Sequence, residues 1–209
     1  ALFRKEVTAD DVMNDQVIWP GVMTRLMACP PTCGGAAAIL VSEKFADQHG
    51  LNKQVRIAAQ AMTTDTPSTF GASDMMQVVG YDMARDAASK VYEAAGIGPA
   101  DLDVVELHDC FAHNELITYE GLGLCGEGEA AKFIDDGDNS YGGRIVTNPS
   151  GGLLSKGHPL GATGLAQCYE LTRQLRGTAA ATQVEGARLG LQHNLGLGGA
   201  CVVTLYERA

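Results

Sequence analysis

The sequence predicts an α/β protein: a layered, mostly parallel sheet with one antiparallel element. Short runs rich in branched apolar residues alternate with helical stripes from Gln54 to Leu107. Two final apolar runs, Ala187–Gln192 and Ala200–Tyr206, follow the last helical stripe and are separated by the glycine-rich turn Asn194–Gly199, as in a closing hairpin. The 26 glycines point to many tight connections and close backbone approaches.

Residues 1–28 mix charges with isolated apolar residues and read as extended segments or short helices, with Trp19 as a packing anchor. The chain opens without Met in a charged segment, as a piece of a longer polypeptide would. Gly34–Val41 is an apolar run after turn residues and suits a buried strand. Ser42 can cap a helix ending near Gly50. Gln54–Met62 reads as a second strand and Thr63–Asp74 as a loop. From Asp82 to Ala95, Met83, Ala87, Val91 and Ala94 fall on one helical stripe, with Gly96 as C-cap. Leu102–Leu107 is a strand ending directly in His108-Asp-Cys110-Phe111. A helix over about 114–121 and glycine-rich loops to Thr147 come next. Leu165, Cys168, Leu171 and Leu175 then trace the last helical stripe.

Composition excludes several classes of function. A formal net charge of −10 argues against a general nucleic-acid or anionic-membrane binder. No apolar run approaches the ~20 residues needed to span a bilayer. The six cysteines lack the close pairs of a zinc site and read as reduced thiols. Cys168 and Cys201 are expected in the core, Cys125 in a loop, and Cys29 and Cys33 in structural positions. His49 and His113 read as surface histidines, Lys156 as solvated, and Asp135, Asp136 and Asp138 as an acidic turn. No metal and no phosphate-binding loop is expected.

Reactive groups gather in three segments: His108 with Cys110, His158 within Asn148–Gly164, and the His193-Asn194 turn. Ligands collect where the strands of such a sheet end at their carboxyl edge. A cysteine and a histidine can act as nucleophile and base, or pass protons in turn. A helix starting near Gly161 would aim free N–H groups back toward His158.

His108-Asp-Cys-Phe111 and Gly157-His-Pro159, supported by Asn148-Pro-Ser-Gly-Gly152 and His158–Gly164, resemble motifs of the thiolases. The match is to the C-terminal half, closest to the sterol-carrier-protein type and the bacterial lipid-transfer-protein thiolases. It covers the chain from about Cys29 onward. The resemblance implies a layered αβαβα thiolase fold, of which residues 29–209 form the C-terminal domain and residues 1–28 the tail of a loop domain or a linker. It implies CoA-dependent cleavage of 3-ketoacyl-CoA, branched or sterol side-chain substrates included, with coenzyme A as substrate and no permanently bound cofactor. His158 would activate the nucleophile and help form an oxyanion hole, His108 would serve the other oxyanion site, and Cys110 would be the acid/base.

Two departures stand out. His193-Asn-Leu-Gly196 replaces the Cys-x-Gly motif of most thiolases, which raises the weight on Cys110. The nucleophilic cysteine of the family belongs to an N-terminal half absent from this sequence, so the chain alone is expected to be inactive. Gly34 also stands where an acidic residue is common. A homodimer is expected, with an OB-fold or lipid-transfer partner as a further possibility, in a bacterial cytoplasm or, in a eukaryote, a peroxisome. The competing readings are a thiolase-fold steroid-CoA aldolase that works with a partner, and a non-catalytic lipid-binding subunit.

Overall fold

A computed structural model describes residues 1–196 and 199–209. In chain order the elements are α1 (Ala9–Met13), β1 (Val17–Trp19), β2 (Met23–Thr24), α2 (Glu43–Gln48), β3 (Val55–Thr63), α3 (Pro67–Gly71), α4 (Met75–Val78) and α5 (Tyr81–Ala95). These are followed by β4 (Val104–Glu106), α6 (Ala112–Gly121), α7 (Ala130–Asp135), β5 (Val146–Thr147), α8 (Gly152–Lys156), α9 (Thr163–Leu175), β6 (Leu189–Gly196) and β7 (Ala200–Arg208).

β1 and β2 pair as a small antiparallel ribbon. The main sheet has the order β3-β7-β6-β4-β5. β4 pairs in parallel with β5 and β6, while β7 is antiparallel to both of its neighbours. Four strands therefore run one way and β7 alone runs back between β3 and β6. The mixed, mostly parallel sheet read from the sequence is the one observed. The expected turn over Asn194–Gly199 includes Leu197 and Gly198, which lie outside the described residues.

Alternation along the strands sends side chains to two faces. Val105, Leu107, Leu191, Val203 and Leu205 pack with Met83, Ala87 and Val91 of α5 and with Tyr119 of α6. On the opposite face Val104, Val146 and Tyr206 meet Leu171 and Leu175 of α9, with Val184 and Ala187. Helices thus cover both faces of the sheet, which leaves β4 buried throughout. α5 ends as its sequence dictates, at a left-handed Gly96 whose N–H caps the last turn.

Several expectations are corrected. Gly34–Val41 forms no strand among the described residues; the run is irregular, with Ile39 91% and Leu40 74% exposed. An apolar run needs a pairing edge and a covering layer to become a buried strand, and this chain brings neither to it. Trp19 lies on the two-stranded ribbon at 66% exposure and anchors no packing. α3 interrupts the expected loop after Thr63, and α7 and β5 interrupt the glycine-rich region before Thr147. On α9 the buried face runs through Thr163, Gln167, Leu171, Gln174 and Leu175, while Leu165 is exposed. Ala94 likewise turns to solvent, and Ala84 and Ala88 complete the buried stripe of α5.

Candidate functional site

The site is built at the carboxyl end of β4. Glu106 ends that strand, and His108, Asp109 and Cys110 follow in the turn into α6. The His108 carbonyl accepts a hydrogen bond from Asn114 Nδ2 at 2.6 Å, which ties the turn to the first coil of α6. Its peptide N–H points to Nδ1 of His193 on β6, 3.4 Å away. His193 is fully buried, so the strand beside β4 holds a second imidazole behind the first.

His158 arrives from the other side, after α8. Its ring meets that of His108 edge-to-face, with centroids 4.8 Å apart and planes at 90°. Nδ1 of His158 lies 2.7 Å from Oγ1 of Thr163, which donates its own proton to the Pro159 carbonyl. The hydroxyl is then left to accept from Nδ1–H, and Nε2 carries the free lone pair. A base built this way can take a proton at Nε2. The expected helix start near Gly161 falls instead at Thr163, and the N–H groups of Ala162 and Thr163 are spent on the Pro159 carbonyl. His158 is therefore oriented by a hydroxyl, and those two N–H groups are not free to serve it.

Three backbone-level devices hold the His158 segment. Asp109 accepts from the N–H of Leu153 at 2.6 Å and, more weakly, from Leu154. A Cβ on Gly152, where φ is +56°, would stand 2.1 Å from Oδ2 of Asp109, so only glycine fits. At Gly157, φ +101°, a Cβ would meet Oγ1 of Thr32 at 2.5 Å, because the segment after Cys29 crosses directly over the loop.

The electrostatics favour neutral groups. Burial first, then the His158 ring, lowers His108 to about 4. Burial, with His108 second, lowers His193 to about 3. Burial also lowers His158. Cys110 is pushed up to about 11, by burial first and then by the neighbouring Cys29 and Asp109. Asp109 is raised to about 7, again mainly by burial, with the Leu153 N–H opposing. Near neutral pH both site imidazoles are uncharged, and the thiol keeps its proton until a basic partner appears.

The structure brings His108 and His158 together as the sequence suggests. Among the described residues the Cys110 thiol makes no hydrogen bond to either ring. Its main chain pairs with Cys29, whose N–H donates to the Cys110 carbonyl at 2.9 Å beside the Ala28–Phe111 bridge. Cys29, read as merely structural, therefore faces Cys110 across an antiparallel contact. Thr163, Asn114 and Asp109 were not legible as site residues; each acts through a contact that depends on the fold. Lys156 is a correction: it is mostly buried, 3.5 Å from Glu106, and is not a solvated lysine. A groove of about 380 Å³ is lined by Leu40, Ile57, Leu160, Leu165 and Tyr206 among others, and by neither His108 nor His158. Among the described residues no cluster of His, Cys, Asp or Glu could hold a metal, and no helix is long and apolar enough to cross a membrane.

The family model described as "Thiolase C-terminal domain-like" matches residues 64–206. Sterol carrier protein 2 of Rattus norvegicus is 58% identical over 206 residues, covering 98% of this chain and 38% of the rat protein. Acetyl-CoA acetyltransferase of Methanothermobacter thermautotrophicus is 37% identical over 209 residues, covering 100% of this chain and 53% of that protein. Among solved structures, a chain of an Ltp2-ChsH2(DUF35) aldolase superposes with a TM-score of 0.81 at 23% identity, covering 99% of this chain and 52% of that one. At that identity the likeness shows the fold alone. This chain spans about two fifths to one half of the relatives it matches.

Proposed function

Because the chain belongs to the thiolase C-terminal domain-like family, we propose that it forms one wall of a 3-ketoacyl-CoA thiolase site whose nucleophilic cysteine comes from a preceding N-terminal half. Residues 29–209 would be the C-terminal domain and residues 1–28 the tail of a loop domain. The observation that carries this reading is the contact of His108 and His158 at the carboxyl end of β4, two residues from Cys110.

In the proposed reaction Nε2 of His158 takes the proton of the nucleophilic thiol, and the thiolate adds to the 3-keto carbon. The resulting oxyanion is held by an N–H of His108, which its lowered pKa keeps neutral, and by the Nε2–H that His158 has just acquired. Collapse breaks the bond between the α and β carbons. The enolate of the departing acetyl-CoA takes its proton from Cys110, whose raised pKa suits a weak acid that yields only to so basic a partner. The Cys110 thiolate then accepts the proton of coenzyme A, whose sulfur attacks the acyl-enzyme; the nucleophile leaves as thiolate and recovers its proton from His158.

A second reading is a thiolase-fold carbon–carbon lyase that works with a partner and without a CoA nucleophile; the Ltp2-ChsH2(DUF35) aldolase shows that such a protein shares this fold. Cys110 favours thiolysis: of its two proposed tasks, protonating the enolate and deprotonating CoA, the second belongs to thiolysis alone. The similarity to the animal proteins named sterol carrier protein 2 supports a sterol-related substrate.

The test uses the full-length polypeptide with acetoacetyl-CoA and a branched 3-ketoacyl-CoA, with and without CoA. His158→Ala is expected to lower kcat/KM at least ~10²-fold, since base and oxyanion contributions both go. CoA-dependent cleavage undiminished in Cys110→Ala would sink the role given to that thiol. Cleavage without CoA would favour the aldolase.

A further inference from the structure

Beneath the His158 loop lies a buried charge pair that the proposed reaction leaves unused. Glu106 is fully buried at the end of β4, two residues before His108. Its Oε1 accepts the Ser150 N–H at 3.1 Å and its Oε2 the Ser150 hydroxyl at 2.7 Å. Lys156, the last residue of α8, reaches back to donate to that hydroxyl at 2.8 Å and stands 3.5 Å from Oε2 of Glu106. The pair thus brackets the segment from both ends, at Ser150 and at Lys156, two residues before His158.

The bracketed segment does not fix its own shape. Asn148 has φ +47°, Gly151 +98°, Gly152 +56° and Gly157 +101°. Glycine takes such angles without strain but takes many others as readily, so the backbone permits this path without enforcing it and the surroundings must hold it. Glycines also release the most chain entropy when freed. The carboxylate and ammonium supply the constraint, and each depends on the other. Burial raises the pKa of Glu106, and Lys156 and Ser150 oppose that rise. Removing one partner leaves an uncompensated buried group, which costs more than the pair is worth.

We propose that Glu106 and Lys156 are positioning residues: their buried pair holds the glycine-rich 148–157 loop so that His158 meets His108. The proposal rests on the catalytic reading of His158, and its geometric half can be tested without it. Neither residue touches the reacting atoms, so a loss should appear in kcat more than in KM, on the scale of up to roughly 10²-fold for a misplacement of about 1 Å.

The experiment compares Lys156→Met, Lys156→Arg, and the double variant Lys156→Met with Glu106→Gln, all in the full-length protein. Gln keeps an acceptor for Ser150 while removing the stranded charge. Two readouts are taken: thiolysis kinetics, and amide hydrogen exchange of Leu153, Leu154 and Gly157 well below the melting temperature. Lys156→Met is expected to lower kcat at least tenfold with KM within about twofold, and to speed exchange in the loop. Lys156→Arg and the double variant should recover most of both. Wild-type exchange and kcat in Lys156→Met would overturn the proposal, as would a double variant no better than the single. A His158→Ala protein that still cleaves would sink the catalytic reading, yet the exchange comparison would still decide whether the pair holds the loop.

Discussion

At the scale of single residues, the site is defined by imidazoles kept neutral by burial. His193 is the extreme case: fully buried, with Nε2 unpartnered among the described residues and Nδ1 turned to the His108 N–H. Its pKa falls from 6.5 to about 3 on folding, chiefly by desolvation. The unfolded chain therefore binds this proton first as pH falls. The stability His193 lends is fully present above about pH 6.5 and is lost progressively as pH falls toward 3. His193→Gln removes that dependence. In urea titrations between pH 6.5 and 4, wild type should lose stability more steeply than the variant, by up to about 1.4 kcal/mol per pH unit. Parallel curves would show that His193 is not the buried neutral group described above. His108 and Cys110 were legible because they sit at the end of a recognisable strand. Cys29 was not, since its place opposite Cys110 depends on a bridge between residues far apart in the sequence.

At the scale of elements, α9 shows why a helical stripe can mislead. The spacing of Leu165, Cys168, Leu171 and Leu175 is helical, but hydropathy alone centres the stripe to one side of the true contact. The sheet below is lined in part by Gln192, whose Nε2 bonds the Gly164 carbonyl, and Gln167 answers it with a donor to the His193 carbonyl. Polar residues thus occupy the buried face near the site, and apolar ones only at its far end. Leu171→Ala should cost ~2–5 kcal/mol in the 209-residue chain, because its side chain is fully buried between α9 and the sheet. Leu165→Ala should stay within about 0.5 kcal/mol. Equal effects in thermal unfolding would contradict the orientation of the helix. Among the elements missed, α3, α7 and β5 are five, six and two residues long, too short to display a period. β3, β4, β6 and β7 were each found, with ends displaced by a few residues.

At the scale of the whole molecule, the weak point is the uncovered region formed by the irregular 34–41 run and the free edge of β3. Ile39, Leu40, Leu160 and Met62 are all well exposed there. An unpaired strand edge beside apolar side chains is a template for association. In dynamic light scattering the 209-residue chain should self-associate at micromolar concentration, and Leu40→Lys should reduce that association. A monodisperse wild-type chain would count against an exposed run. The sequence could mark Gly34–Val41 as apolar and strand-like, but burial depends on what lies across from it, and no property of the run itself reports that. The order of the sheet has one last consequence. β7, the last of the described strands, is an interior one, and among them β3 pairs only with β7. During synthesis β3 must wait unpaired until the last strand emerges, so the sheet closes late through contacts distant in sequence. Assembly of this chain should be slow and exposed to off-pathway pairing for as long as that strand is missing.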